Sequence, residues 1–404
     1  MKIVVLKFGG TSVGSIDRIK KVANLIIKYV KKKYKVIVVS SAMSGDTNNL
    51  VNKSKKISNN FSNAEYDVLV SSGEQVACSL IAGTLIDKGY KSRSWMGWQI
   101  PIITDDKHKY SKINQVFKNN IIRYLKSDGI PIITGFQGIN KKNRITTIGR
   151  GGSDSSAIML AKFFKAERCI IYTDVEGVYT TDPKKLDKAK KIKVISYEEM
   201  LEMASLGAKV MQPVSIQDAR LSRIDIEVKS TFKNKSGTLI TKRKNIINRN
   251  IITGISSTQN DAKITLVGVK DKPGIAASIF KPLSESSINV DMVVQNISAD
   301  GKETDLTFTI KNDDLNKTKK IINSNKKINY KKLLFDKNVS KVSIIGVGMI
   351  TTPGVTYRMF QALANNKINI QVISTSEIKI SVLIDKKNIN KAIYALHKEF
   401  KLEL

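Results

Sequence analysis

No stretch limits the possible folds as tightly as residues 3–14. Ile3-Val4-Val5-Leu6 is an apolar, mostly β-branched run, and Lys7-Phe8-Gly9-Gly10-Thr11-Ser12-Val13-Gly14 follows at once. A buried strand that passes through glycines into a helix, here from Asp17 to roughly Lys31, aims a row of backbone N–H groups at one spot. With the helix N-terminus behind it, that concavity suits a phosphate. Gly9 and Gly10 are expected to let the main chain come close and to take positive φ, and Lys7 adds a compact cation from the strand end. Gly9 and Gly14 have P-loop spacing, but Ser15 stands where that motif needs lysine, so this is not a Walker A sequence. An ordinary tight strand–helix turn would use the same glycines, and only the rest of the chain can choose between the two readings.

Further polar turns follow in order. Residues 36–39 form a second apolar strand that ends in Ser40-Ser41-Ala42-Met43-Ser44-Gly45-Asp46-Thr47. Small hydroxyl residues at a strand's C-terminal end are where open α/β sheets place ligands. Residues 67–88 read as an amphipathic helix opening through Val70-Ser71-Ser72-Gly73-Glu74, and 100–104 and 130–134 as short strands with a helix at 115–126 between them. Gly149-Arg150-Gly151-Gly152-Ser153-Asp154 makes a third loaded turn before an apolar helix at 157–164. A strand at 169–174 then leads into Val175-Glu176-Gly177-Val178-Tyr179-Thr180-Thr181-Asp182-Pro183. Strands alternating with helices to about residue 230 predict one α/β domain whose largely parallel sheet is covered on both faces. Each polar turn ends a strand or opens a helix, so all of them can share one rim.

Composition narrows the classes. A chain of 404 residues with 41% apolar and 25% charged residues has room for two or three globular domains. No uninterrupted apolar run reaches the roughly 20 residues of a membrane span. Met1-Lys2-Ile3 enters the first strand without a signal-peptide pattern, and Cys78 and Cys169 read as reduced core residues, so a cytoplasmic protein is expected. The net charge of +33 invites a nucleic-acid partner. Its lysines, however, are spread along the whole chain among Asn and Ile, and no basic stretch is interleaved with aromatics that could stack on bases. Neither nucleic acid nor membrane is expected as a partner.

Beyond the charged linker Lys242-Arg243-Lys244-Asn245 the chain repeats itself. Lys263-Ile264-Thr265-Leu266-Val267-Gly268-Val269 matches Lys341-Val342-Ser343-Ile344-Ile345-Gly346-Val347. Pro273-Gly274-Ile275 matches Pro353-Gly354-Val355, and Ile288-Asn289-Val290 matches Ile368-Asn369-Ile370. Each copy reads as a βαββαβ unit, and two such units should pack together to bury their sheets. The second copy ends before its last strand, so Ile251-Ile252-Thr253-Gly254-Ile255, ahead of the first copy, is expected to supply it. The expected domains are 1–245, 251–338 with that leading strand, and 339–404.

Taken together these motifs resemble the aspartate kinases of the amino acid kinase family, which carry two C-terminal ACT domains. The resemblance spans essentially the whole chain and extends to Gly207-Ala208-Lys209-Val210 and Ser374-Thr375-Ser376-Glu377. It implies a three-layer α/β/α kinase domain followed by two ferredoxin-like βαββαβ domains. It also implies ATP, Mg2+ and L-aspartate as reactants giving 4-phospho-L-aspartate, the entry to lysine, threonine and methionine biosynthesis.

Roles follow from the same resemblance. Lys7, Arg150 and Asp154 are the expected catalytic residues: Lys7 on the transferring phosphate, Arg150 gripping the α-carboxylate, and Asp154 holding Lys7 or the substrate amine and helping to place the metal. Ser41, Thr47, Glu74, Gly151, Gly152 and Ser153 are expected around aspartate, with Glu74 near its ammonium or orienting the lysine. Gly9 and Gly10 as backbone donors, with Thr173, Asp174, Tyr179, Asp182 and Lys209, are expected around the nucleotide. No side chains are assigned as a dedicated metal set. In the repeats, Asp271, Gly274, Ile275, Ala276, Asn289 and Asp291 are expected at one effector site. Gln295, Asn369, Ser374, Thr375 and Ser381 would contribute to it or to its pair. Lysine, threonine or both are the implied effectors, and a homo-oligomer the implied assembly. Another amino acid kinase, a non-catalytic amino-acid sensor, and repeats that serve only dimerisation stay open as alternatives.

Overall fold

β-Branched and aliphatic runs become strands where both faces of a sheet are covered, and the first unit shows this pattern. A computed structural model describes residues 1–404 except 208–209, 244–249, 299–300, 326–327 and 404. The chain divides into two units, Met1–Val178 with Lys191–Asn248 and Tyr179–Lys190 with Arg249–Leu404.

The first unit begins with β1 (Ile3–Phe8), α1 (Ile16–Lys31), β2 (Lys35–Ser40), α2 (Asp46–Ile57), α3 (Asn63–Asp87) and β3 (Ser92–Trp95). Next come β4 (Ile102–Thr104), β5 (Ile113–Val116), α4 (Asn119–Lys126), β6 (Ile130–Thr134), β7 (Gln137–Ile139) and β8 (Ile145–Thr147). It closes with α5 (Gly152–Phe163), β9 (Arg168–Thr173), β10 (Val194–Ser196), α6 (Tyr197–Ser205), α7 (Pro213–Ser222), β11 (Ile226–Ser230) and β12 (Thr238–Thr241).

The main sheet has the order β10-β12-β11-β9-β1-β2-β6-β3, parallel except where β12 runs against β11. Its central register pairs Phe8 with Ser40 and Tyr172, and Ser40 with Thr134, so four strands end together at one rim. Beneath them Val4, Leu6 and Phe8 pack against Ile19, Val22 and Ile26 of α1 and Ala77, Ile81 and Leu85 of α3. Apart from Ala77, each such side chain is worth roughly 1.5–3 kcal/mol of burial. On length and composition alone α3 could cross a bilayer, yet it packs into this core and buries both Asp67 and Glu74.

Several elements depart from the sequence reading. Ile102–Thr104 does not join the main sheet but pairs with β5 and β7 in a small four-stranded sheet, β5-β4-β7-β8. Strand β5 takes residues 113–116, so the helix expected from 115 starts at Asn119. Helix α3 begins at Asn63, which puts Glu74 deep inside it, and α5 begins at Gly152, so Ser153 and Asp154 lie in its first turn.

The second unit comprises β13 (Gly254–Lys270), α8 (Ile275–Glu285), β14 (Val290–Ile297), β15 (Glu303–Lys311) and α9 (Leu315–Ser324). It continues with β16 (Lys332–Ile345), α10 (Val355–Asn365), β17 (Ile370–Ser376), β18 (Lys379–Asp385) and α11 (Ile389–Glu399). One sheet, β14-β15-β13-β16-β18-β17, carries both repeats. Gly254–Thr258 pairs with Ile345–Lys341 of the second repeat, while the later part of β13 pairs with β15 of the first. Ile252 and Ile255 accordingly sit in the second repeat's core with Met359, Leu363, Ile393 and Leu396. The first repeat has its own core around Ile264, Leu266, Ile279, Leu283 and Phe308.

The segment Tyr179–Lys190 is woven into this second unit. The Thr180 carbonyl accepts from the Ile255 amide (2.6 Å), its hydroxyl lies 3.0 Å from Nε2 of buried His397, and Leu186 packs on the second repeat's core.

Candidate active site

The rim formed by the ends of β1, β2, β6 and β9 gathers most of the polar residues singled out above. Lys7, the last inward side chain but one of β1, is almost wholly buried and forms an ion pair with Asp154 (2.6 Å) from the first turn of α5. An acidic residue suits a helix N-terminus, and the ion pair aims the lysine across that terminus.

The glycines of the opening turn meet one half of the expectation, close approach at Gly10, and not the other, positive φ. Neither Gly9 nor Gly10 has positive φ: Gly9 is extended at φ −72°, and residues 10–13 form a short 3-10 turn. The Gly9 amide donates to the Tyr172 carbonyl (3.2 Å), so it is engaged by the neighbouring strand. What Gly10 provides is space, because a Cβ there would lie 2.9 Å from the Ala42 carbonyl oxygen. The β1 turn and the β2 loop thus touch through bare backbone.

Glu74 reaches the same place from α3. Its Oε1 accepts from the Ala42 amide (3.2 Å), while buried Oε2 has no partner among the described residues. Burial pushes its carboxyl up to about 8, against the opposing pull of the Ala42 hydrogen bond and of Lys7. A carboxyl so placed is short of one donor, and a substrate ammonium is such a donor. Gly73 lets α3 come this close, since a Cβ there would meet the Ala42 methyl at 2.8 Å.

Ser41 is half-buried, with its amide on the Phe8 carbonyl (3.1 Å), and Thr47 lies half-buried in the first turn of α2 behind Gly45, which is left-handed at φ 93°. Gly149 and Gly151 are left-handed as well, and between them Arg150 holds an exposed guanidinium free of ion pairs among the described residues. Gly152 and Ser153 are buried at the start of α5, where Ser153 fills the space left by Gly135. Thr173 ends β9 and Asp174 follows it, the Thr173 hydroxyl donating to the Asp174 carboxylate (3.0 Å).

Two expected residues fall in the other unit. Tyr179 and Asp182 belong to the second unit, where Asp182 builds a turn by accepting from the Lys184, Lys185 and Leu186 amides. Lys209 lies outside the described residues.

Two cavities mark the repeats. One, about 390 Å3, is lined by Asp271, Gly274, Ile275, Ala276 and Gln295; the other, about 420 Å3, by Pro353, Gly354, Thr375, Ser376 and Glu377 among others. Each is built from a single repeat. Asn289, Asp291, Asn369, Ser374 and Ser381 line neither: Asp291 pairs with buried Lys341, and the Ser381 hydroxyl meets that of Ser343 (2.7 Å). Ser376 and Glu377 were not among the expected effector residues, although they adjoin Thr375 in the same motif.

Sequence reasoning also passed over Asp67, fully buried four residues into α3. The signal was present: Asp67, Ser71 and Glu74 recur at helical spacing as a polar stripe in an apolar helix.

Comparison with known proteins identifies the family. Residues 2–230 match the model of the amino acid kinase family, and residues 264–325 and 342–400 that of the ACT domain. The chain is 44% identical over 405 residues to an aspartate kinase of Stutzerimonas stutzeri, covering 100% of this chain and 98% of the relative. It is 43% identical over 402 residues to an aspartokinase of Geobacillus stearothermophilus, with the same coverage. Among solved structures, E. coli aspartokinase III with lysine and aspartate aligns at a TM-score of 0.82 and 25% identity, over 99% of this chain and 100% of that one. Its complex with aspartate and ADP aligns at 0.79 and 25% identity, over 98% and 99%.

Proposed function

The chain belongs to the amino acid kinase family, as a kinase acting on aspartate, and from that premise we propose how its residues divide the work. The aspartate side-chain carboxylate, with an ordinary value near 4, is already ionised at neutral pH, so the reaction needs no general base. A carboxylate oxygen forms a bond to the γ-phosphorus of ATP as the bond to the bridging oxygen breaks, giving 4-phospho-L-aspartate and ADP. The obstacle is bringing an anion up to a polyanion, and positioning plus charge neutralisation must overcome it.

Lys7, aimed by Asp154 across the N-terminus of α5, neutralises the transferring phosphoryl group. Arg150 grips the α-carboxylate through a bidentate fork, flanked by Gly151, Gly152 and Ser153. Glu74 takes the α-ammonium on its free oxygen, and Ser41 and Thr47 lie between the two reactants. Gly10, Thr173 and Asp174 flank the nucleotide, with Tyr179, Asp182 and Lys209 carried over from the family resemblance alone.

The residues present fit a magnesium ion that arrives with the nucleotide. Magnesium usually keeps several waters and takes one or two carboxylates besides phosphate oxygens, and Asp154 in the first turn of α5 and Asp174 just after β9 are the carboxylates that would hold it. When bound, the metal neutralises phosphate charge.

Lysine, threonine or both, acting at the two repeat cavities, are the proposed effectors, and lysine, threonine and methionine biosynthesis the proposed pathway. A relative solved with lysine supports the regulatory half. We place the enzyme in the cytoplasm as a homo-oligomer of chains divided at 1–245, 251–338 and 339–404. The observation that carries the catalytic reading is the Lys7–Asp154 pair beside the unsatisfied Glu74 oxygen. The test is ADP release with Mg·ATP and L-aspartate, repeated with lysine, threonine and both. Aspartate-dependent turnover suppressed by an addition supports both halves. Turnover without inhibition removes lysine and threonine as effectors, and no turnover with aspartate removes the kinase reading.

A further inference from the structure

Asp67 is a fully buried carboxylate outside the set of groups that face the substrate, and its partners are unusual. Oδ1 accepts from the Thr147 hydroxyl (2.5 Å) and the Lys109 amide (3.1 Å), and Oδ2 from the same amide (3.1 Å) while meeting Nδ1 of His108 (2.6 Å). One side chain therefore ties α3 to the end of β8 and to the loop at 105–111. Isolating a carboxylate from water is expensive, and removing its partners leaves that cost uncompensated.

Both tethered pieces adjoin Arg150. Thr147 lies three residues before it. The loop presses on the intervening turn: a Cβ on left-handed Gly149 would fall 2.9 Å from the Lys109 carbonyl oxygen and 3.1 Å from the Tyr110 ring. The Ser111 amide closes the bracket on the Thr147 carbonyl (2.9 Å). Tyr66, next to Asp67 on α3, lies within the field of the Arg150 guanidinium and under the Lys109 ammonium, 4.3 Å from its ring centre. Arg150 itself is exposed and unpaired among the described residues, so its placement depends on the turn that carries it.

The same helix anchors the other end of the site. Ser71, one turn after Asp67, receives the Gln137 side-chain amide of β7 on its carbonyl (2.9 Å), and Glu74 bonds the Ala42 amide. Seven residues of helix span about 10 Å at 1.5 Å per residue. We infer that Asp67, with His108, is a positioning residue for aspartate recognition: it references the Arg150 turn to α3, so that one rigid helix sets the separation between the carboxylate-binding guanidinium and the ammonium-binding Glu74. This rests on the roles proposed above for Arg150 and Glu74.

The experiment is steady-state kinetics of the full chain with Mg·ATP and L-aspartate, paired with thermal melts. Asp67→Asn turns one acceptor oxygen into a donor, and His108→Ala removes one tether from a partly exposed loop. Each should raise the KM for aspartate about tenfold or more while leaving the KM for ATP within about twofold. His108→Asn, which can still donate to Asp67, should recover most of the loss. In a double variant with Arg150→Ala, Asp67→Asn should add little, because both act on one contact. An aspartate KM that stays within twofold in both single variants, or an ATP KM that rises equally, overturns the inference. If Arg150→Ala raises the aspartate KM while the Asp67 and His108 variants do not, the inference fails alone. If Arg150→Ala leaves that KM unchanged, the role of Arg150 fails and the inference with it.

Discussion

Three glycines of the first unit and two of the second answer opposite needs. At the kinase rim Gly10, Gly73 and Gly135 have ordinary backbone angles but no room, since a Cβ would lie 2.9 Å from the Ala42 carbonyl, 2.8 Å from the Ala42 methyl and 2.7 Å from Ser153 respectively. In the repeats, Gly274 and Gly354 have abundant room, with nothing within 4 Å of a Cβ, but sit at φ 87° and 85°. The rim is made by backbones pressed together, with Lys7 and Asp154 already paired. The repeat turns are made by conformation and open onto cavities. On the roles proposed above, the site that stabilises a transition state is the closely packed one, and the sites that would admit and release an effector are the open ones.

Substitutions can break this contrast. The largest effect is expected from Arg150→Lys, which keeps the charge but loses the fork. The value of kcat/KM for aspartate should fall by about 100-fold or more with nucleotide binding retained, and turnover near the parent level would remove Arg150 from the site. Next comes Gly73→Ala. Alanine favours a helix by roughly 1 kcal/mol over glycine, yet here it must push the β2 loop away. A loss of about tenfold or more in kcat is expected, and an active, stabilised variant would show that the rim has slack.

Glu74 gives an intermediate effect that pH reveals. Its carboxyl, pushed up to about 8 by burial, must ionise if it is to receive the ammonium as proposed, so the KM for aspartate should fall as pH rises from about 6.5 to 8.5. Glu74→Gln should flatten that profile. The sign for stability is the reverse. A folded value above the ordinary 4.5 means that the protonated group's contribution is full below about 4.5 and is lost as pH climbs through about 8. The melting temperature of Glu74→Gln relative to the parent should therefore increase with pH, and a constant difference would contradict the buried placement. The smallest effect belongs to Gly354→Ala, a strain of about 1 kcal/mol in open space. It should lower the melting temperature by a few degrees and leave turnover without effector unchanged, and a loss of basal activity would erase the distinction between the two units.

Much of this was legible in the chain. Apolar β-branched runs became β1, β2, β6 and β9, and the polar turns after them met at one rim because parallel strands point their ends the same way. Glycine was harder, because one residue type serves both space and positive φ, and only the neighbour across the turn decides between them. For Gly10 the expected close approach holds and the positive φ does not, and Gly9 lacks positive φ as well. Gly152 read as turn although it opens α5, and residues 102–104 read as an ordinary strand although their partners, β5 and β7, set them in a separate sheet. Asp67 stayed hidden because its partners, His108 and Thr147, lie about 40 and 80 residues away.

The length of β13 has a consequence for synthesis. Its first residues complete the second repeat by pairing with a strand encoded roughly ninety residues later. At about 5–20 residues per second, that partner leaves the ribosome some 4–18 seconds after them. During that interval Ile252 and Ile255 have no sheet to join, while the rest of β13 can already assemble the first repeat. The two copies therefore cannot mature as independent beads: the earlier one folds with the later one's strand still dangling from its edge, and that edge is where a nascent chain of this protein is most exposed to a chaperone or to a neighbouring copy.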